Sequence, residues 1–165
     1  MKALKLVAVA VLVAFAAGTA NCAPRKIYPA VAQAPADVAR ALKTAQATHK
    51  RVLLDFGGDW CGDCQVLDIY FHDAVNRPIL EANYVLVHIN VGMMDENVEL
   101  ARKYGVPLER GVPALAVLSA NGTVLYSQKK GQFAPMRRME SSAVTSFLMQ
   151  WKPVKPGCSV MAVSC

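Results

Sequence analysis

Val52-Leu53-Leu54-Asp55-Phe56, then Gly57-Gly58-Asp59-Trp60, then Cys61-Gly62-Asp63-Cys64 is the stretch on which the fold turns. The first run is short, rich in branched residues and bounded by glycines, the pattern of a buried strand. From Cys61 to about Phe71, Val66, Leu67, Ile69 and Tyr70 alternate with polar residues at helical spacing. A strand therefore feeds a helix through a glycine turn, and Cys61 stands where the helix begins. There the unpaired backbone N–H groups and the positive end of the helix dipole favour a thiolate over a thiol. Cys64 lies one turn further in, close enough to close a small disulfide with Cys61. The pair suits a dithiol that cycles between reduced and oxidised forms.

A static structural disulfide or half of a zinc site are the alternatives for such a pair. Zinc needs four ligands and a second cysteine knuckle. The other cysteines are Cys22, Cys158 and Cys165, of which only the last two could serve, at the far end of the chain. The redox reading therefore leads, and no metal or cofactor is assigned.

The 165 residues, 54% of them hydrophobic, are enough for one domain with a full core. Part of that apolar share is not fold. A basic start (Lys2, Lys5), an apolar stretch over 6–17 and then Gly18-Thr19-Ala20 have the three regions of a secretory signal peptide, with the cut expected after Ala20. Export places the dithiol in an oxidising compartment. Cys22, just past the apolar stretch, is a candidate lipidation site and the one route to membrane attachment. Thr19 and Asn21, however, are not the usual residues before a lipidated cysteine. Loss of Lys2 and Lys5 leaves 16 of the 18 basic residues against 12 acidic ones, net +4. These charges are scattered without interleaved aromatics, which gives nucleic-acid binding no support.

Residues 21–34 read as a loose linker whose one candidate element is a short strand at Lys26-Ile27-Tyr28. Pro35 opens a helix that carries Val38, Ala41, Leu42 and Ala45 on one face as far as His49. A helical region at 76–83 precedes a second buried strand over 84–91. A helix is expected over 95–104, stopped by Gly105. A third strand over 114–118 is turned back at Asn121-Gly122 into a fourth over 123–126. A last helix over 141–151 has Val144, Phe147, Leu148 and Trp151 on one face. This order predicts an α/β domain with a central mixed β-sheet flanked by helices.

These residues resemble the thioredoxin superfamily over about 35–151. Leu54-Asp55-Phe56 followed by Trp60-Cys61-Gly62-Asp63-Cys64 is similar to its strand and active site. Arg110-Gly111-Val112-Pro113-Ala114-Leu115 is similar to its cis-proline segment, and Asn121-Gly122 to the hairpin after it. Gly58-Asp59-Trp60-Cys61 with Tyr70-Phe71-His72-Asp73-Ala74-Val75 is most similar to one branch. That branch includes the periplasmic C-terminal domain of the transmembrane disulfide reductase. The resemblance implies a thioredoxin fold over 35–151, with 152–165 left as a tail.

It also implies roles. Cys61 would attack a substrate disulfide and Cys64 would resolve the mixed disulfide, so that Cys61–Cys64 is the redox-active bond. Trp60 would shield the pair and contact substrate. Pro113 would be cis, and the backbone of Val112 would bind an extended substrate segment as an added strand. Asp55, a carboxylate in an apolar strand, is costly unless neutral or paired; in the family it takes the proton of the resolving thiol. Asp63 stands where thioredoxin has proline. A negative group beside the helix start disfavours the Cys61 thiolate, and so favours a reductase. His88 replaces a lysine near Asp55; if it approaches that carboxylate, the two titrate together around neutrality. Pro107-Leu108-Glu109 looks like an insertion before the cis-proline loop. Outside the resemblance, Cys158 and Cys165 could close a structural disulfide, and 133–139 reads as a loop near the site.

The expected function is an exported thiol–disulfide oxidoreductase that reduces substrate-protein disulfides and is itself re-reduced by an upstream thiol protein. The alternatives are an oxidase or isomerase, or a binding module whose Cys-x-x-Cys is a permanent disulfide.

Overall fold

The computed structural model describes residues 25–154; the signal peptide read at 1–20, Cys22 and the Cys158–Cys165 pair lie outside the described residues. Four strands, β1 (Arg51–Gly57), β2 (Tyr84–Asn90), β3 (Ala114–Leu118) and β4 (Val124–Ser127), form one sheet in the order β2-β1-β3-β4. β1 runs parallel to β2 and antiparallel to β3, and β3 is antiparallel to β4. The helices are α1 (Ala34–Thr48), α2 (Gly62–Phe71), α3 (Asn76–Asn83), α4 (Val98–Lys103) and α5 (Ser141–Trp151).

β1 is central because six of its seven residues are buried, a run that only a strand covered on both faces can use. Its alternation sends Val52, Leu54 and Phe56 into a core shared with Val38, Ala41 and Ala45 of α1. Leu53 points the other way, into a core with Leu67 and Phe71 of α2, Leu80 of α3 and Val144, Phe147 and Leu148 of α5. Asp55 and Gly57 share the side of Leu53. Strand register then sets Asp55 directly beside His88.

Several expectations are corrected. No strand forms at 26–28: residues 25–30 are irregular, yet they are not a loose linker, because Tyr28 is 1% exposed and belongs to the core. The helix expected over 95–104 is shorter. Turns occupy its start, with Met94 and Asn97 in left-handed backbone, so α4 begins at Val98. Ile69 of α2 is 51% exposed; the buried face is Cys64, Leu67, Asp68 and Phe71. The segment 133–139 is a loop near the site as read, anchored by Phe133 and Met136, which are buried in the second core. Pro107-Leu108-Glu109 leads into a single 3-10 turn over Leu108–Arg110.

Candidate active site

Cys61 is the N-cap of α2 and Cys64 stands in its first turn, their Cα atoms 5.2 Å apart and their sulfurs joined in a disulfide. The Cys64 amide N–H points at Cys61 Sγ, 3.1 Å away, so one of the orphan donors of the helix start is aimed at that sulfur. Exposure separates the two cysteines: Cys61 retains 6% and Cys64 none. An incoming disulfide can reach the first sulfur only.

The loop before β3 faces Cys61. Its Val112–Pro113 peptide is cis, and the Val112 carbonyl oxygen lies 3.6 Å from Cys61 Sγ. Buried Gln128 braces this loop, donating to the Pro113 carbonyl at 3.2 Å and accepting from the Leu115 amide. Gly111 has φ +96, and a Cβ there would press on Ala134 at 3.0 Å, so the 133–139 segment packs against this loop. Trp60 is 47% exposed; its indole N–H donates to the Gly92 carbonyl at 2.6 Å, which holds the ring at the rim.

Asp63 is not the lone negative charge that the sequence implied. Its carboxylate accepts from the Arg137 amide at 2.8 Å and from the Arg137 guanidinium at 3.1 Å. Partial burial pushes the Asp63 carboxyl up, but these hydrogen bonds, the Arg137 charge and Arg138 behind it hold it below its ordinary value. The helix start therefore sees a paired carboxylate. Asp63, Ala134, Pro135, Arg137 and Arg138 line an open groove of about 550 Å³ next to it.

Beneath the disulfide lies a buried polar cluster. Asp55 is 1% exposed, and its Oδ2 accepts from the Tyr28 hydroxyl at 2.8 Å and meets His88 Nδ1 at 2.9 Å. Its Oδ1 has no partner among the described residues. His88 Nε2 looks to Asp68, 3.9 Å away, which in turn meets Arg25 at 2.6 Å and His72 at 3.3 Å. Burial pushes the His88 imidazole down. The hydrogen bond to Asp55 and the charges of Asp55, Asp68 and Asp59 outweigh that and raise its pKa. A raised pKa means that the folded state holds a proton which the unfolded chain has released. The stabilisation is full below about pH 6.5 and is lost as pH rises through the folded value. Urea midpoints measured upward from pH 6.5 are expected to fall, and His88→Gln should flatten that slope.

Tyr28, Asp68, Arg137 and Gly57 were not legible as site residues. Asp68 alone left a trace: it follows Cys64 by four residues, on the same helical face as Leu67 and Phe71. Among the described residues no cluster of three or more His, Cys, Asp or Glu side chains could hold a metal ion.

A dithiol capping a helix, beside a cis-proline loop and above a buried carboxylate, defines a thiol–disulfide oxidoreductase. The chain belongs to the thioredoxin-like family, whose description matches residues 32–120. It is similar to a disulphide isomerase from Xylella fastidiosa (TM-score 0.73, 35% identity, covering 76% of this chain and 96% of that one). It is also similar to a thiol:disulfide interchange protein DsbD of Pseudomonas fluorescens, 26% identical over 99 residues (59% of this chain, 16% of that protein). A thioredoxin of Buchnera aphidicola is 34% identical over 68 residues, 41% of this chain and 55% of its own length. The chain thus spans about half of one of these curated relatives and a small part of the other.

Proposed function

We propose that this protein is an exported reductase of protein disulfides, working in the periplasm. The signal-peptide pattern over 1–20 supports the location. Among the described residues no helix is long and apolar enough to cross a membrane. In the reduced protein the Cys61 thiolate attacks a substrate disulfide, and the distal substrate sulfur leaves with the electron pair and takes a proton. Cys64 then attacks Cys61 Sγ, giving its proton to Asp55, and the second substrate thiol departs. Two electrons pass to the substrate, and the Cys61–Cys64 disulfide is left for an upstream thiol protein to reduce. Trp60, Val112 and Pro113 border the exposed edge of Cys61 and are assigned to holding the substrate segment.

The observation that carries the direction of electron flow is the set of partners around Cys61 Sγ. It receives one N–H, faces a carbonyl oxygen, and has no cationic side chain hydrogen-bonded to it among the described residues. The guanidinium that lies over Gly62, that of Arg137, is held by Asp63. A strong oxidant needs extra stabilisation of its reduced thiolate, and among the described residues the hydrogen bond given to this sulfur comes from the helix start. Equilibration with glutathione redox buffers is expected to give a potential near that of thioredoxin, about −270 mV, rather than near the roughly −120 mV of a strong oxidant. A value close to the latter would assign the protein to oxidation or isomerisation. No exchange at all would leave it a binding module.

A further inference from the structure

Tyr28 carries a phenol into the core from a segment without regular secondary structure, and that segment is pinned at every turn. The amides of Ile27 and Tyr28 donate to Asp59 Oδ1 at 2.8 and 3.0 Å. Gln65 donates to the Arg25 carbonyl at 2.8 Å, and the Arg25 guanidinium meets Asp68 at 2.6 Å. Three of these anchors, Asp59, Gln65 and Asp68, flank Cys61 and Cys64 in the chain. The hydroxyl so delivered donates to Asp55 at 2.8 Å. It also faces the resolving cysteine. A methyl group placed on Gly57 would overlap the Tyr28 hydroxyl and come within 2.8 Å of Cys64 Sγ. Hydroxyl and sulfur thus border the same point beside Gly57.

We propose that Tyr28 is the proton relay of the resolving step, its hydroxyl passing the Cys64 thiol proton to Asp55, so that the segment 25–29 is part of the active site. This deepens the reductase reading and rests on Cys64 resolving a mixed disulfide on Cys61. As Cys64 attacks, its S–H bond breaks; the electron pair stays on sulfur and makes the new S–S bond. The proton goes to the phenol oxygen, and the phenol's own proton moves to Asp55. The bond between Cys61 and the substrate sulfur breaks, and that sulfur leaves with the electron pair and is protonated from solvent. No tyrosinate accumulates. Burial, and after it the Asp55 carboxylate, push the Tyr28 phenol well above its ordinary value, so it acts as a neutral relay. The same Asp55 oxygen, Oδ2, also meets His88, whose side chain is 18% exposed, and through it Asp68, which gives the proton a route outward.

Dithiobis-nitrobenzoate separates the two steps, because the first coloured thiol is released when Cys61 attacks and the second when Cys64 resolves. In the reduced full chain, Tyr28→Phe should leave the first release within about two-fold of the unsubstituted protein and slow the second by roughly ten-fold or more, the low end of general acid–base contributions. A second release at the original rate, or both releases slowed alike, would overturn the relay. A fluorotyrosine at position 28 keeps the ring and hydroxyl while changing the proton affinity of the phenol, so it guards against a packing defect. It should alter the second release only; an unaltered rate likewise counts against the relay. If the unsubstituted protein gives no first release, it is the reductase reading that fails.

Discussion

Replacing Asp55 with asparagine is expected to slow resolution of the mixed disulfide about 100-fold, within the usual span of general acid–base contributions. The substitution preserves volume and keeps an oxygen that can accept from Tyr28, but it removes the carboxylate on which the Cys64 proton comes to rest. It leaves untouched the Cys64 N–H that points at Cys61 Sγ, so formation of the mixed disulfide should proceed at its original rate. Rapid-quench measurement of both steps checks this. Resolution at the original rate would remove Asp55 from the chemistry, whatever its role in packing.

The second large effect is on stability. Gly57→Ala adds one methyl where there is room for none. The Tyr28 hydroxyl would lie 2.3 Å from it and Cys64 Sγ 2.8 Å. Neither neighbour can retreat cheaply. Cys64 is fixed in the first turn of α2 and bonded to Cys61, while Tyr28 is held by Asp55 and by the Asp59 contacts to its backbone. Overpacking at a rigid site costs about 1–3 kcal/mol, and expulsion of the phenol would add the loss of its hydrogen bond to Asp55. A loss of about 3 kcal/mol in denaturant unfolding is therefore expected. Gly62→Ala is the control: a Cβ there meets Arg137 at 3.5 Å, ordinary contact, and an alanine suits the start of a helix. Equal effects at the two glycines would show that the space above Gly57 is not tight.

The His88 titration joins the two predictions. Removing the Asp55 charge takes away the nearest negative charge that raises the His88 pKa. The fall in stability above pH 6.5 should shrink in Asp55→Asn as it does in His88→Gln.

Much of the fold was legible because the signals that made it so are local. The apolar run before Gly57 reads as a buried strand because it is short, rich in branched residues and bounded by glycines. A cysteine after a glycine turn could serve as an N-cap. The spacing of Val144, Phe147 and Leu148 gave α5 its inner face, and the observed bounds of α3, β3 and α5 match those read from pattern alone. The bounds that moved lie where left-handed residues such as Met94 and Asn97 interrupt a periodic stretch, which no apolar pattern encodes.

From its own order of residues the chain determined a strand–turn–helix unit that presents Cys61 and Cys64 at a helix tip, because strand burial, turn chemistry and capping each depend on neighbours a few residues away. Only the folded chain decided what surrounds those sulfurs. Tyr28 reaches Asp55 across 27 residues, and Arg137 reaches Asp63 across 74. A charge in a sequence has a sign but no partner. Whether Asp63 opposes the thiolate or is cancelled depends on which distant surface closes over it, and that is settled when the two cores pack against the sheet.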